Sequence, residues 1–317
     1  MNKFVRQLLP FGTLTLLIAA LSALEPDTFL TAENFSNVLS RSSYSGIIAM
    51  GMTAVIISGG IDLSVGSMMA LCGMVAGLVM TKNGTVVPTA GLMVLGTLVG
   101  VAVGSLCGLL NGGLITLLNL PPFIVTLGTM SAFRGLSLVI NNAMMFDVPT
   151  YTFLGEGKLA GVPFNVLILL LIVLVAFFML RYTPLGRYTY AIGSNRQAAY
   201  HAGVNVNRNL IAIYALTGLL VGLGAMIATS RTVSAQPTAG QGLELDIIAA
   251  VVIGGASLSG GRGTVVGTVI GTLLIIFLRN GLTLLGTSTN IQFVVIGAII
   301  ISAVALDQAA RTKAETA

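Results

Sequence analysis

The chain has no tryptophan, one histidine and two cysteines in 317 residues, and only 8% of its positions are charged. A soluble domain carries roughly a quarter charged residues, so a water-facing globular surface is excluded. His201 is too isolated to build a histidine dyad or a metal site, and is read as a solvated surface residue. Cys72 and Cys107 fall inside apolar runs, where a thiol behaves as a small hydrophobe with no metal partner. No G-x-x-x-x-G-K-[ST] phosphate loop occurs, so any nucleotide energy comes from another chain. No catalytic residue, metal site or bound cofactor is expected, and the chain is not read as an enzyme. Its cations outnumber its anions by 15 to 10, but they are scattered with few aromatics between them, which sets nucleic acid aside.

What the chain does have is hydrophobic residues at 55% of its positions and 39 glycines, many inside the apolar runs. Small residues let membrane helices pack with their backbones close together. We read an all-α, polytopic integral membrane protein that forms one domain over 1–317, lies in a lipid bilayer and has about ten transmembrane helices. The expected spans are 8–24, 44–60, 67–81, 89–111, 123–140, 164–180, 209–229, 246–258, 264–278 and 291–306, the first of them near the roughly 20 residues a bilayer crossing requires. The first also resembles a secretory signal peptide, with Lys3 and Arg6 before it and Ser22 and Ala23 at its end, but is taken as an uncleaved span. Lys82-Asn83-Gly84 makes a turn, and Asn119-Leu120-Pro121-Pro122 breaks the helical pattern because neither proline donates a helix hydrogen bond.

Lys and Arg collect on cytoplasmic ends, which orients these spans. With both termini inside, Lys3, Arg6, Arg181, Arg187, Arg196, Arg208, Arg262, Arg311 and Lys313 are cytoplasmic, against Arg41, Lys82, Lys158, Arg231 and Arg279 outside.

The longest polar interval, 186–208, therefore faces the cytoplasm. Ser194-Asn195-Arg196-Gln197 has the S-x-x-Q form of a capping box, and Gly203 stands where a left-handed C-cap is wanted. Between them one short helix carries Ala198, Ala199 and Ala202 on neighbouring turns, a small face that another protein can approach closely. The interval is either a docking device or an ordinary solvated loop containing a helical turn.

Gly59-Gly60-Ile61-Asp62-Leu63-Ser64-Val65-Gly66 is echoed by Gly254-Gly255-Ala256-Ser257-Leu258-Ser259-Gly260-Gly261, each following one apolar run and preceding another. Paired Gly-interrupted segments mark either broken or re-entrant helices beside a transport pathway or simple turns of helical hairpins. On the first reading Asp62, Ser64, Ser257 and Ser259 line the pathway; Asp62 alternatively caps the third span. Arg134, eleven residues into the fifth span, either lines the pathway or snorkels to an interface.

GGIDLSVGS (59–67), LGRYTYAIGSN (185–195), SAQPTAGQGLELDIIAAVVIGG (234–255) and LSGGRGTVVGT (258–268) resemble the signature segments of ribose-type sugar permeases of bacterial ABC importers. The likeness extends over about 36–306. It implies an inner-membrane subunit, two copies of which form the pathway, with a cytoplasmic ATPase holding ATP and magnesium below and a periplasmic sugar-binding protein above. Gln197-Ala198-Ala199 and Gly203 then resemble the family's E-A-A, three residues, G loop, with Gln197 departing from the family's glutamate. The likeness makes Ser194, Asn195, Arg196, Gln197, Ala198, Ala199 and Gly203 the ATPase-coupling residues, a rigid lever acting on the sixth and seventh spans. On the outer face Arg231, Glu244 and Asp246 either contact the binding protein or, for the two acids, begin the eighth span. A self-contained secondary sugar transporter, and a scaffold or channel, are the competing classes.

Overall fold

The computed structural model describes residues 3–81 and 89–315, most of them helical. The expected turn at Lys82-Asn83-Gly84 lies outside the described residues. The first half contains α1 (Lys3–Leu24), α2 (Pro26–Phe29), α3 (Ala32–Ile57), α4 (Val65–Met80), α5 (Ala90–Leu117) and α6 (Pro122–Val139). A loop region follows with β1 (Phe146–Asp147), α7 (Phe153–Glu156), β2 (Lys158–Leu159) and β3 (Val162–Pro163). Then come α8 (Phe164–Tyr182), α9 (Pro184–Ser194), α10 (Arg196–His201), α11 (Val206–Thr232), β4 (Ser234–Ala235), α12 (Leu243–Ile253), α13 (Val265–Leu284) and α14 (Thr289–Glu315). Among the described residues α5, α6, α8, α11 and α13 are long and apolar enough to cross a membrane, and Phe11–Leu24, α4 and Thr289–Ser302 are shorter apolar stretches.

Glycine spacing sets the central packing. Gly96, Gly100, Gly104, Gly108 and Gly112 recur every fourth residue of α5 and are buried or nearly so. A methyl group at Gly104 would overlap the carbonyl of Gly218, and one at Gly108 the carbonyl of Tyr214, both on α11. The two backbones therefore touch, as dispersion-driven packing between apolar helices in lipid requires. α3 runs beside α11 and is fully buried along its second half, where Ile47, Ile48, Met50, Met52, Ile56 and Ile57 join the main core. A second cluster, in which the rings of Phe29, Phe35 and Phe277 meet at about 6 Å, ties α2 and α3 to α13. A reciprocal pair of amide hydrogen bonds between Asn34 and Asn280 adds to it.

The interruptions lie close to where the sequence places them, with corrections. α5 ends at Leu117 and α6 starts at Pro122, with Asn119 left-handed between them (φ 52°). α3 begins twelve residues before the expected span, because Thr31 caps it by accepting from the amide of Asn34. The expected span 246–258 is in fact the eleven-residue α12. It stops at Ile253 because Gly254 and Gly255 form its C-terminal cap, which leaves Leu258 in the following loop.

Between α11 and α12 the chain does not cross the bundle as helix. Val233 turns left-handed (φ 47°), β4 pairs antiparallel with β1, and 236–242 run in extended and turn conformation among the helices. Irregular backbone at such a place must find polar partners inside the protein. Here Arg134 of α6 supplies them, donating to the carbonyls of Pro237 (2.7 Å) and Ala239 (3.0 Å), and Ser137 donates to Pro237 at 2.9 Å. Arg134 thus neither snorkels nor stands free; it suspends the inserted segment.

Candidate functional site

The two glycine strings form the same kind of helix cap, one residue out of step with their sequence echo: Gly59 in the first matches Gly255, not Gly254, in the second. At the end of α3, Gly59 is left-handed (φ 84°), its amide donates to Ile56 and that of Gly60 to Val55. At the end of α12, Gly255 is left-handed (φ 92°), its amide donates to Val252 and that of Ala256 to Val251. Each is a complete Schellman cap, which needs glycine because a Cβ disfavours the left-handed region. The segments are therefore helix stops of one design, placed at one end of the bundle.

They also meet. The amide of Gly261 donates to the carbonyl of Ile57 at 2.8 Å, joining the second loop to the end of α3. Gly193, in the last turn of α9, is pressed on the same junction: a methyl group there would overlap the Ile57 carbonyl and lie 2.6 Å from the Gly261 nitrogen. A methyl at Gly260 would meet Gly193 and the Cα of Gly59. Tyr190, one turn earlier on α9, donates its hydroxyl to the carbonyl of Gly263 at 2.8 Å. Burial pushes the Tyr190 phenol up, so it keeps the proton this bond uses. One short helix is thus seated on both glycine loops.

The polar interval holds two helices where the sequence reading expects one. Thr183 caps α9 by accepting from Gly186, and Pro184 takes the first helical position, where a missing amide costs nothing. Ser194 belongs to α9 and does not cap; the cap of α10 is Asn195, whose Oδ1 accepts from Ala198 at 2.9 Å. The expected capping box with Gln197 is therefore absent, and Arg196 and Gln197 are exposed. Gly203 is left-handed as expected (φ 84°), with its amide bonded to Tyr200 and that of Val204 to Ala199. Ala199 turns inward against Ile192, Val206 and Leu210, so only Ala198 and Ala202 of the small face are exposed.

Asp62 and Ser64 are brought together and fully buried. Asp62 Oδ1 accepts from the amide (2.9 Å) and hydroxyl (2.6 Å) of Ser64, an Asx turn one residue ahead of α4 instead of a cap on it. Asn111 of α5 donates to Ser64 Oγ at 2.8 Å. Thr126 of α6 donates to the carbonyl of Ile61, and the hydroxyl of Tyr214 of α11 approaches Gly60. The first glycine loop is therefore hydrogen-bonded to α5 and α6 and packed against α11, whose Tyr214 hydroxyl makes no bond there. Ser257 and Ser259 sit apart from this group, in the second loop, the former buried and the latter exposed.

Of the three remaining candidates, Asp246 is 7% exposed and paired bidentately with Arg279 of α13, at 2.7 and 2.8 Å. Arg279 also lies over the ring of Phe293 at 5.2 Å. Arg231 and Glu244 are part-exposed, with Glu244 beside Gly66 at the start of α4.

Residues 34–304 match the model of a family described as branched-chain amino acid transport system / permease component. The chain belongs to this family. The permease is 46% identical to the ribose import permease protein RbsC of Bacillus subtilis (strain 168), over 96% of this chain and 93% of that one. It is 38% identical to the D-allose transport system permease protein AlsC of Escherichia coli (strain K12), over 94% and 90%. It is 33% identical to the xylose transport system permease protein XylH of Haemophilus influenzae (strain ATCC 51907 / DSM 11121 / KW20 / Rd), over 95% of each. No solved structure matches it.

The sequence reading missed Tyr190, Gly193, Asn111 and Arg279. Asn111 left a signal, an amide at the end of an apolar run, and Gly193 lies inside the polar interval itself.

Proposed function

We propose that this chain is the membrane permease of an ATP-driven ABC importer that moves a monosaccharide, ribose or a related pentose, into the cytoplasm. Full-length likeness to ribose, allose and xylose permeases supports a sugar cargo over the amino acids of the family's description. The observation that carries the coupling is the seat of α9 on both glycine loops. ATP and magnesium belong to a cytoplasmic ATPase that receives α10 and its exposed Asn195, Arg196, Gln197, Ala198 and Ala202. A periplasmic sugar-binding protein delivers the cargo, and a second copy of this chain completes the pathway.

In this reading α1, α3, α4, α12 and α14 join the five long apolar helices to give ten membrane segments, with both termini cytoplasmic. The chain acts as a single domain in the bacterial inner membrane. Closure of the ATPase moves α9 and α10 together. Through Gly193 and Tyr190 the displacement reaches the ends of α3 and α12 and the start of α13, besides the attached α8 and α11. Asp62 and Ser64 keep the first loop rigid while it moves. Binding-protein contact falls to Arg231 and Glu244, since Asp246 is committed to Arg279.

Uptake of radiolabelled ribose into proteoliposomes tests this. With the ATPase, the binding protein and ATP supplied, uptake is expected; accumulation by the chain alone under an ion gradient would replace the reading with a secondary transporter.

A further inference from the structure

We propose that the permease holds a monosaccharide site of its own, a cavity of about 190 Å³ between α3, α4, α11 and the inserted segment after α11, with Tyr44, Thr229, Arg231, Thr232 and Gln236 in its lining. The inference rests on the sugar-import reading and assigns that cargo a place inside this chain.

The lining carries the chemistry that a neutral polyhydroxylated ring needs. Thr229 and Thr232 have hydroxyl oxygens, and Gln236 has an amide whose nitrogen donates to Ser234 Oγ at 3.1 Å. Thr232 gives its own proton to backbone carbonyls and retains acceptor capacity for a sugar hydroxyl. Tyr44 adds an aromatic face for the C–H side of the ring, and its phenol end is polar. The size fits one monosaccharide: the volume equals about six waters at roughly 30 Å³ each, well short of an oligosaccharide.

Arg231 gives the cavity its second argument. It is part-buried in the last turn of α11, and no hydrogen bond or ion pair joins its guanidinium to another described residue. The titratable neighbours that act on it are Tyr44 and a like charge, Arg41. A half-buried guanidinium at the cavity wall with no acceptor among the described residues has donors free for a ligand. Sugar hydroxyls supply neutral acceptors in this position. The opposite case is a 150 Å³ cavity between α3, α8 and α11, whose lining, Met50, Ile172, Ile213 and Leu220 among others, is apolar except for Thr217 and offers a sugar almost nothing.

The cavity also has a stop. Gly240, which lines it, is pressed against Gly66 at the start of α4, so backbone closes the space on the side of Asp62. A sugar waiting there is released by separating those two glycines, on segments held by Arg134 and by the Asp62 turn respectively.

The test uses the whole permease in detergent, without binding protein, and saturation-transfer NMR with ribose and ribose 5-phosphate as probes. Transfer to ribose is expected for the native chain, with at least a five-fold loss in Gln236→Leu and in Thr229→Val, which preserve shape. In the reconstituted importer the same variants are expected to lower ribose uptake at least ten-fold. No transfer to ribose, transfer to the phosphate ester alone, or uptake by folded variants within two-fold of native would overturn the proposal. Should a variant not fold, the native chain's transfer spectra decide by themselves. A native importer that takes up no monosaccharide at all would remove the import reading, and this site with it.

Discussion

Gly193 sits against the carbonyl of Ile57, with no room between them for a side chain. That contact places the last turn of α9 on the stop of α3, at the point where the amide of Gly261 also binds Ile57. Three segments far apart in the chain share one backbone junction, and a force applied to α9 reaches two membrane helices without any flexible side chain in between.

Gly193→Val should therefore lift α9 from its seat. We expect the assembled importer to retain ATP binding but to lose most of its sugar-stimulated hydrolysis, at least ten-fold, measured as phosphate release. Tyr190→Phe removes only the hydrogen bond to Gly263 and should cost far less. Equal, native-like rates in Gly193→Val and the unaltered complex would sink the junction as a coupling element.

Gly203→Ile tests the lever from its other end. No atom lies within 4 Å of a Cβ placed there, so the substitution acts only through the left-handed backbone, at about 1–2 kcal/mol and more for a β-branched residue. The cap of α10 should loosen and stimulated ATP hydrolysis fall, while Gly203→Asn, which tolerates this conformation, should retain it. Unaltered hydrolysis in Gly203→Ile would remove α10 from the mechanism.

The Asp246–Arg279 pair predicts a stability effect. Arg279→Met strands a buried carboxylate, which costs about 3–5 kcal/mol when one partner of a buried pair is removed. Asp246→Asn with Arg279→Gln should recover part of the loss. Thermal unfolding of the purified permease checks both; additive losses in the double variant would mean that the two side chains do not depend on each other.

Much of this architecture is legible before any coordinates. The apolar runs mark the helices, Pro121 and Pro122 mark a break, Gly203 marks a left-handed cap, and the paired glycine strings mark interruptions that the structure resolves into left-handed helix caps. These features are local, set by backbone sterics within a few residues. The competition between Ser194 and Asn195 for one cap is also local but nearly degenerate, and it was decided by α9 running on through Ser194. What could not be read are the partnerships. Asp246 and Arg279 are 33 residues apart, and Arg134 reaches carbonyls more than a hundred residues away. Those contacts depend on which helices meet, and that is fixed by the fit of glycine faces such as Gly104 on Gly218.

Gly108→Leu probes that fit. With the Tyr214 backbone against it, a larger side chain must part α5 from α11, and the permease should fail to purify as a folded, monodisperse protein. Gly113→Leu, one residue past the ladder with nothing within 4 Å of its Cβ, should purify normally. A stable Gly108→Leu permease would contradict the packing.

The most direct measurement of the central claim is ATP hydrolysis by this chain assembled with its ATPase and its binding protein, across a panel of pentoses and hexoses. The account predicts stimulation by one sugar or a small group of related sugars, with ribose first. A well-folded permease that forms no complex with any ATPase, or hydrolysis that no sugar alters, would contradict it.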